Sequence, residues 1–196
     1  MGFHTYPVDR ADALEDPGRY RYCSREELLA MLEPTADSIV ADLGSGTGFY
    51  ADDVAPFVDT LYAVDVQTAM HDRYREKGVP EAVEFVTAEV SSLPFNDDQL
   101  DRAYSTMTHH EYAPTDTDDT GSERKNDGAL AELARVLRPG GRLITVDWSA
   151  DGTGDAGPPL EERFSLADAT SQLEDAGFEI ESAVDRPETI AVVATR

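Results

Sequence analysis

From residue 24 onward, short apolar runs rich in β-branched residues alternate with stretches of helical periodicity, and few folds accommodate that alternation. "SREELLAML" (24–32) has a serine N-cap, acids in its first turn and leucines at helical spacing. "SIVADL" (38–43) reads as a buried strand, and "FYADDVAPF" (49–57) as a helix leaving a glycine-rich loop. "TLYAVD" (60–65) is the second strand, followed by the helix "QTAMHDRYREKG" (67–78), which ends at Gly78. "VEFVTA" (83–88) and "LDRAYST" (100–106) are strands three and four. "DGALAELARVL" (127–137) is an amphipathic helix with leucines at 130, 133 and 137, stopped by "RPGG". "RLITVDW" (142–148) is the fifth strand, and "SLADATSQLEDAGF" (165–178) is a helix capped by Gly177. "EIESAVD" and "TIAVVAT" close the chain as two strands whose short connection, "RPE", calls for antiparallel pairing. The pattern predicts a single α/β domain with a doubly wound, mostly parallel seven-stranded sheet and an antiparallel C-terminal strand. In such sheets ligands sit at the carboxyl ends of the strands, near the switch point beside the first.

The loop after the first strand narrows the chemistry. "ADLGSGTGFY" (41–50) places Gly44, Gly46 and Gly48 directly behind the apolar run. Glycines this dense cost backbone entropy, so a turn or a close approach must demand them. A phosphate loop of the GxxxxGK[ST] kind is excluded, because no lysine follows the glycines. The dinucleotide pattern GxGxxG needs a third glycine where Phe49 stands. The loop is therefore G-x-G-x-G, with Asp42 before it at the strand end.

Further motifs follow in order. "YAVDVQ" ends the second strand in an acid, Asp65, and "AEVSSLPFNDDQLD" (88–101) sets an acid ahead of "LPF" and an aspartate. "ALAELARVLRPGGRLITVDW" (129–148) runs through the fifth strand, and "GPP…RFS…AGF" comes near the end. With the glycine loop, these stretches resemble the class I S-adenosylmethionine-dependent methyltransferases, and in particular the small ubiquinone/menaquinone C-methyltransferase-like (type 11) branch. The likeness spans residues 24–196 and leaves 1–23 as an N-terminal segment. It implies a Rossmann-like fold, S-adenosylmethionine as cofactor and S-adenosylhomocysteine as product. It also implies in-line transfer of the sulfonium methyl to an oxygen, nitrogen or carbon of a small-molecule acceptor.

The resemblance assigns expected roles. Asp42 would orient the loop or the cofactor's amino group, and Gly44, Ser45, Gly46 and Gly48 would let backbone approach the methionine and ribose. Asp65 would accept hydrogen bonds from the ribose hydroxyls, with Val66 beside it. Glu89 would meet the adenine amine, where the family more often has aspartate, and Val90 the ring edge. Ser105 or Thr106 would touch the methionine end.

A sulfonium methyl is already activated, so such an enzyme chiefly positions a nucleophile, and a base serves only some acceptors. "STMTHHEYAP" (105–114) follows strand four, where acceptor and methyl meet in this fold. His109, His110 and Glu111 are its titratable candidates for catalysis. The aromatic N-terminal segment, with His4, Tyr6, Tyr20 and Tyr22, either folds over the site as a lid, as the resemblance implies, or is a frayed terminus that packs its tyrosines on the surface. The polar stretches 114–127 and 149–159 follow strand ends and either overhang the site or are solvated loops. Trp148 borders the acceptor pocket or packs in the core.

Composition sets outer bounds. Forty acidic against sixteen basic residues give a formal charge of −24, and only Lys77 and Lys125 are lysines. The acids are spread along the chain, which points to a halophilic source, since molar salt screens such self-repulsion. There is no basic, aromatic-interleaved patch of the kind that grips RNA. The single cysteine, Cys23, excludes an intramolecular disulfide and argues against arsenic chemistry. No metal-ligand spacing, secretory signal or membrane span is evident, so a cytoplasmic location is expected. Two other readings stand beside the methyltransferase: a non-catalytic cofactor-binding protein of the same fold, and a nicotinamide-dependent oxidoreductase.

Overall fold

The computed structural model describes residues 5–113 and 128–196. The expected calls at His4 and over 114–127 lie outside them. Seven strands form one sheet: β1 (Ile39–Leu43), β2 (Thr60–Asp65), β3 (Val83–Thr87), β4 (Leu100–Thr106), β5 (Leu137–Trp148), β6 (Glu179–Asp185) and β7 (Thr189–Thr195). Their order is β3-β2-β1-β4-β5-β7-β6, with β7 antiparallel to both neighbours and β1 to β5 mutually parallel. The doubly wound sheet with an antiparallel C-terminal strand is the architecture the periodicity predicts. Among the described residues no helix is long and apolar enough to cross a membrane.

Helices α1 (Arg25–Leu32), α2 (Phe49–Val54) and α3 (Thr68–Lys77) cover one face of the sheet; α5 (Ala129–Val136) and α6 (Leu166–Asp175) cover the other. Leu28, Leu32, Tyr50, Val54 and Tyr74 bury one face, packing on Val40, Leu61 and Ile144. Leu130, Leu133 and Leu173 bury the other against Ala41, Leu43 and Leu143. The alternation of Val40 with Ala41 between these two layers is the period of two that a strand imposes. A four-residue helix, α4 (His109–Tyr112), leaves β4 and returns its backbone toward the end of β5.

Local chemistry sets the helix ends. The Ser24 side chain accepts from the backbone N–H of Glu27, and Ser165 and Asp168 form a reciprocal capping box on α6. Two boundaries differ from expectation. The helix after the glycine loop ends at Val54 and passes into a 3-10 turn, Ala55–Phe57, where Pro56 lies in the first turn. The fifth strand begins at Leu137, because Leu137 pairs with Leu100 before the register shifts and resumes at Arg102 and Arg142. α5 thus ends at Val136, ahead of "RPGG", which forms an irregularity inside β5.

Candidate functional site

The carboxyl ends of β1, β2, β4 and β5 open on a cavity of about 640 Å³. Its floor is the glycine loop. The backbone N–H groups of Gly44 and Ser45 both donate to the Val64 carbonyl at 2.9 Å, turning the chain sharply away from β1. Gly44 has φ +74°, and a Cβ there would stand 2.2 Å from Thr108 Cγ2. Neither the conformation nor the contact tolerates a side chain.

Asp65 ends β2, lines the cavity and is 8% exposed. It accepts from Gly46 N at 2.9 Å through Oδ2 and from Gln67 N at 2.8 Å through Oδ1. One carboxylate therefore latches the glycine loop to the next strand and keeps lone pairs available to a ligand. Burial raises its pKa, while its two backbone N–H donors oppose the rise. Ser45, Val66, Glu89, Val90 and Thr106 also line the cavity, as do Gly44 and Gly46.

Four expected site residues do not reach the cavity wall. Gly48 caps α2 with φ +81° against the Tyr74 ring, so its glycine is demanded by packing. Ser105 is fully buried on β4, pointing into protein rather than into the cleft. Asp42 is 2% exposed, and its Oδ1 has no hydrogen-bond partner among the described residues. Burial pushes the Asp42 carboxyl up to about 7, against the pull of Tyr104 and Arg19. His109 lies in the core between Tyr112 and Phe164, with ring centroids 5.2 and 5.5 Å away. Burial lowers its pKa to about 4, so it is neutral and out of reach of an acceptor.

His110 is placed differently. Adjacent residues on a helix point about 100° apart, and His110 lines the cavity that His109 misses. Its Nδ1 lies 2.9 Å from Asp147 Oδ1, and its backbone N–H donates to Asp147 Oδ2 at 2.6 Å. Asp147 is 1% exposed and also accepts from Trp148 N at 2.7 Å. Burial alone would lower the His110 pKa and raise that of Asp147; their mutual attraction reverses both, holding the imidazole above and the carboxylate below its usual value. Beside them Glu111 lines the cavity, pushed up to about 7 by burial. Asp147 was the residue missed in the sequence. Its signal was an acid within the apolar run "LITVDW", since a buried carboxylate requires a partner.

The N-terminal segment folds as two 3-10 stretches, Val8–Glu15 and Pro17–Arg21, and Tyr6, Arg10, Leu14, Arg19 and Tyr22 line the cavity. Lys77 fastens it by bonding Glu15 at 3.0 Å and Asp52 at 2.8 Å, and Gln67 Nε2 donates to the Tyr6 carbonyl at 3.0 Å. Arg19 donates to the Leu14 carbonyl at 2.8 Å and stacks 5.1 Å over both Phe49 and Tyr50. Tyr20 lies off the cavity, donating to Asp53 at 2.7 Å. On the opposite side Gly157, Pro158 and Pro159 line the cavity beside Trp148, so the stretch 149–159 reaches it with its last three residues. Arg163 holds this wall, donating to the Pro158 carbonyl at 2.9 Å and lying 5.4 Å from the Trp148 ring.

A cleft of this form, with a glycine turn latched by a strand-end carboxylate, lies where ligands bind on a doubly wound sheet. The family profile described as "Methyltransferase domain" matches residues 41–145, and the chain belongs to that methyltransferase family. It is similar to methyltransferase GfsG of Streptomyces halstedii, 31% identical over 76% of this chain and 52% of the relative. It is also similar to the ubiquinone/menaquinone biosynthesis C-methyltransferase UbiE of Ectopseudomonas mendocina, 33% identical over 58% of this chain and 43% of that one. The chain spans about half the length of these curated relatives. Among solved structures, a SAM-dependent methyltransferase from Aquifex aeolicus superposes with a TM-score of 0.82 at 28% identity, covering 97% of this chain and 98% of the other.

Family and fold imply S-adenosylmethionine as cofactor, with S-adenosylhomocysteine as its product. The residues present fit it. The Gly44–Gly46 turn bares backbone to the cavity, and Asp65 offers a carboxylate there.

Proposed function

We propose that this protein is a small-molecule methyltransferase. The observation that carries the reading is the Asp65 latch: the carboxylate that shapes the glycine turn also faces the cavity. Backbone at Gly44, Ser45 and Gly46 would hold the methionine and ribose portions, with Thr106 at the methionine end. Asp65 and Val66 would hold the ribose, and Glu89 and Val90 the adenine. When bound, the cofactor supplies an electrophilic methyl group on a sulfonium. The chain's own part is to orient the acceptor, to exclude water beneath Tyr22, Trp148 and Pro158, and to receive a proton at His110 where the acceptor has one to lose. The N-terminal segment acts as the lid.

Relatives include a C-methyltransferase and an O-methyltransferase by name, and both carbon and oxygen acceptors suit an activated methyl. A nicotinamide oxidoreductase is disfavoured because Phe49, the first residue of α2, occupies the position of the third dinucleotide glycine. The dispersed acidity suits work in the cytoplasm of a halophile. The test is incubation of the protein in molar salt with methyl-labelled cofactor and a metabolite extract. A labelled product that requires the protein supports the reading. Cofactor binding with no labelled product across extracts favours the non-catalytic alternative.

A further inference from the structure

Cofactor binding leaves a cluster around His110 unexplained. Asp147 from β5, Glu111 and His109 from α4, and Glu162 from the 3-10 turn Leu160–Glu162 all act on this imidazole. Asp147 is closest, and its position is fixed from outside the ring. Its Oδ2 accepts the backbone N–H of His110 and its Oδ1 that of Trp148, so the carboxylate cannot turn to follow a rotating imidazole. The ring must instead hold Nδ1 against Asp147, at 2.9 and 3.0 Å from its two oxygens. That fixes the Nδ1–H tautomer and leaves Nε2 as the nitrogen for a ligand in the cavity that His110 lines. Asp147, at 1% exposure, cannot serve a ligand itself.

The surroundings restrict what that ligand is. An amine that arrives neutral is methylated through its free lone pair and sheds its proton to water afterwards, so only one that arrives as an ammonium ion needs a base. A carboxylic acid arrives already ionised, so it has no proton for His110 to take. A weakly acidic hydroxyl needs its proton taken, and a carboxylate-supported imidazole is matched to that task. Aromatic surface is close by: the Tyr22 and Trp148 rings line the cavity and meet edge to face, 4.6 Å apart.

Resting on the methyltransferase reading, we infer that the acceptor carries a phenol-like hydroxyl whose proton goes to His110 Nε2, and that Asp147 is the positioning residue that presents this nitrogen. The acceptor's O–H bond breaks and an N–H bond forms at Nε2. The oxygen pair then bonds the methyl carbon, whose bond to sulfur breaks with its electron pair left on sulfur, and the imidazolium releases its proton to water.

The probe is 4-nitrophenol, whose visible band reports its ionised form, titrated into protein saturated with S-adenosylhomocysteine. Below the free probe's own pKa, the bound probe is expected to be about tenfold more ionised than the free one. Asp147→Asn removes the negative charge that supports the imidazole and sets an amide N–H in place of one of the two oxygens facing Nδ1, so it should abolish this excess while keeping affinity for S-adenosylhomocysteine within about twofold. His110→Gln, which leaves Asp147 in place, should abolish it too and serves if the first variant does not fold. A merely structural Asp147 would lower the melting temperature yet leave the probe's ionisation unchanged. Probe that does not bind, or binds without excess ionisation, overturns the inference; so does excess that survives either substitution. Failure of S-adenosylhomocysteine itself to bind strikes the methyltransferase reading instead, and the two failures are thereby told apart.

Discussion

At the scale of single residues, the site is built from groups held under electrostatic or steric stress. Asp42 is a buried carboxyl raised from 3.8 to about 7, so the folded protein keeps a proton that the unfolded chain gives up. Its favourable contribution is complete below the unfolded pKa of 3.8 and is lost as pH rises through about 7. Asp42→Asn removes that loss. The stability of the variant relative to the parent, read from denaturant titrations, should therefore rise between about pH 4 and about pH 7 and level off above. A difference that stays flat over this interval contradicts the burial argument. Gly44 is stressed by geometry: at φ +74°, with Thr108 Cγ2 2.2 Å from where a Cβ would sit, Gly44→Ala should cost about 1–3 kcal/mol in the same experiment. Removing the steric neighbour with Thr108→Ala should recover only part of that, since the backbone conformation remains unfavourable.

At the scale of elements, strands and helices were largely legible because their signals are local. Period-two and helical spacing depend on neighbours along the chain, as do caps such as Ser24 and Ser165, so they survive in the sequence. The α6 capping box provides a measure: Ser165 Oγ accepts from Asp168 N at 3.1 Å, and Ser165→Ala should lower stability by about 1 kcal/mol without moving cofactor affinity. An unchanged denaturation midpoint would show that the cap is idle. What stayed hidden depends on partners far away in sequence. The start of β5 at Leu137 is set by Leu100 across the sheet, a contact that no local pattern announces. The same holds inside the site. His109 and His110 are equivalent in sequence, and only the orientation of α4 sends one to the core and the other to the cavity. Gly48 looked like part of a ligand-binding turn, yet Tyr74 accounts for it. The Asp65 position, by contrast, was readable because a strand end always lies at the mouth of such a sheet.

At the scale of the whole molecule, a charge of −24 on 196 residues dominates. Described cations such as Arg135 and Arg142 are already committed to carboxylates, Glu132 and Asp97 for the first, Glu33 and Glu181 for the second. The excess acids therefore repel one another across solvent. Raising the salt from about 0.1 M to about 1 M shortens the screening length from about 10 Å to about 3 Å. The melting temperature should climb over that range and then level off, with sodium and potassium chloride acting alike. A melting temperature independent of salt would mean that self-repulsion contributes little, and would remove the argument for a saline habitat.

All these scales converge on the turn between β1 and α2, where one carboxylate shapes a glycine loop and faces the cavity. Calorimetry of S-adenosylhomocysteine and NAD, in molar salt, with the parent protein and Asp65→Asn, tests that directly. The account predicts binding of the adenosyl sulfur compound alone, weakened about 10- to 100-fold by the substitution, as expected for loss of a charge-assisted hydrogen bond. Binding of NAD in its place, or equal affinity in parent and variant, would contradict it.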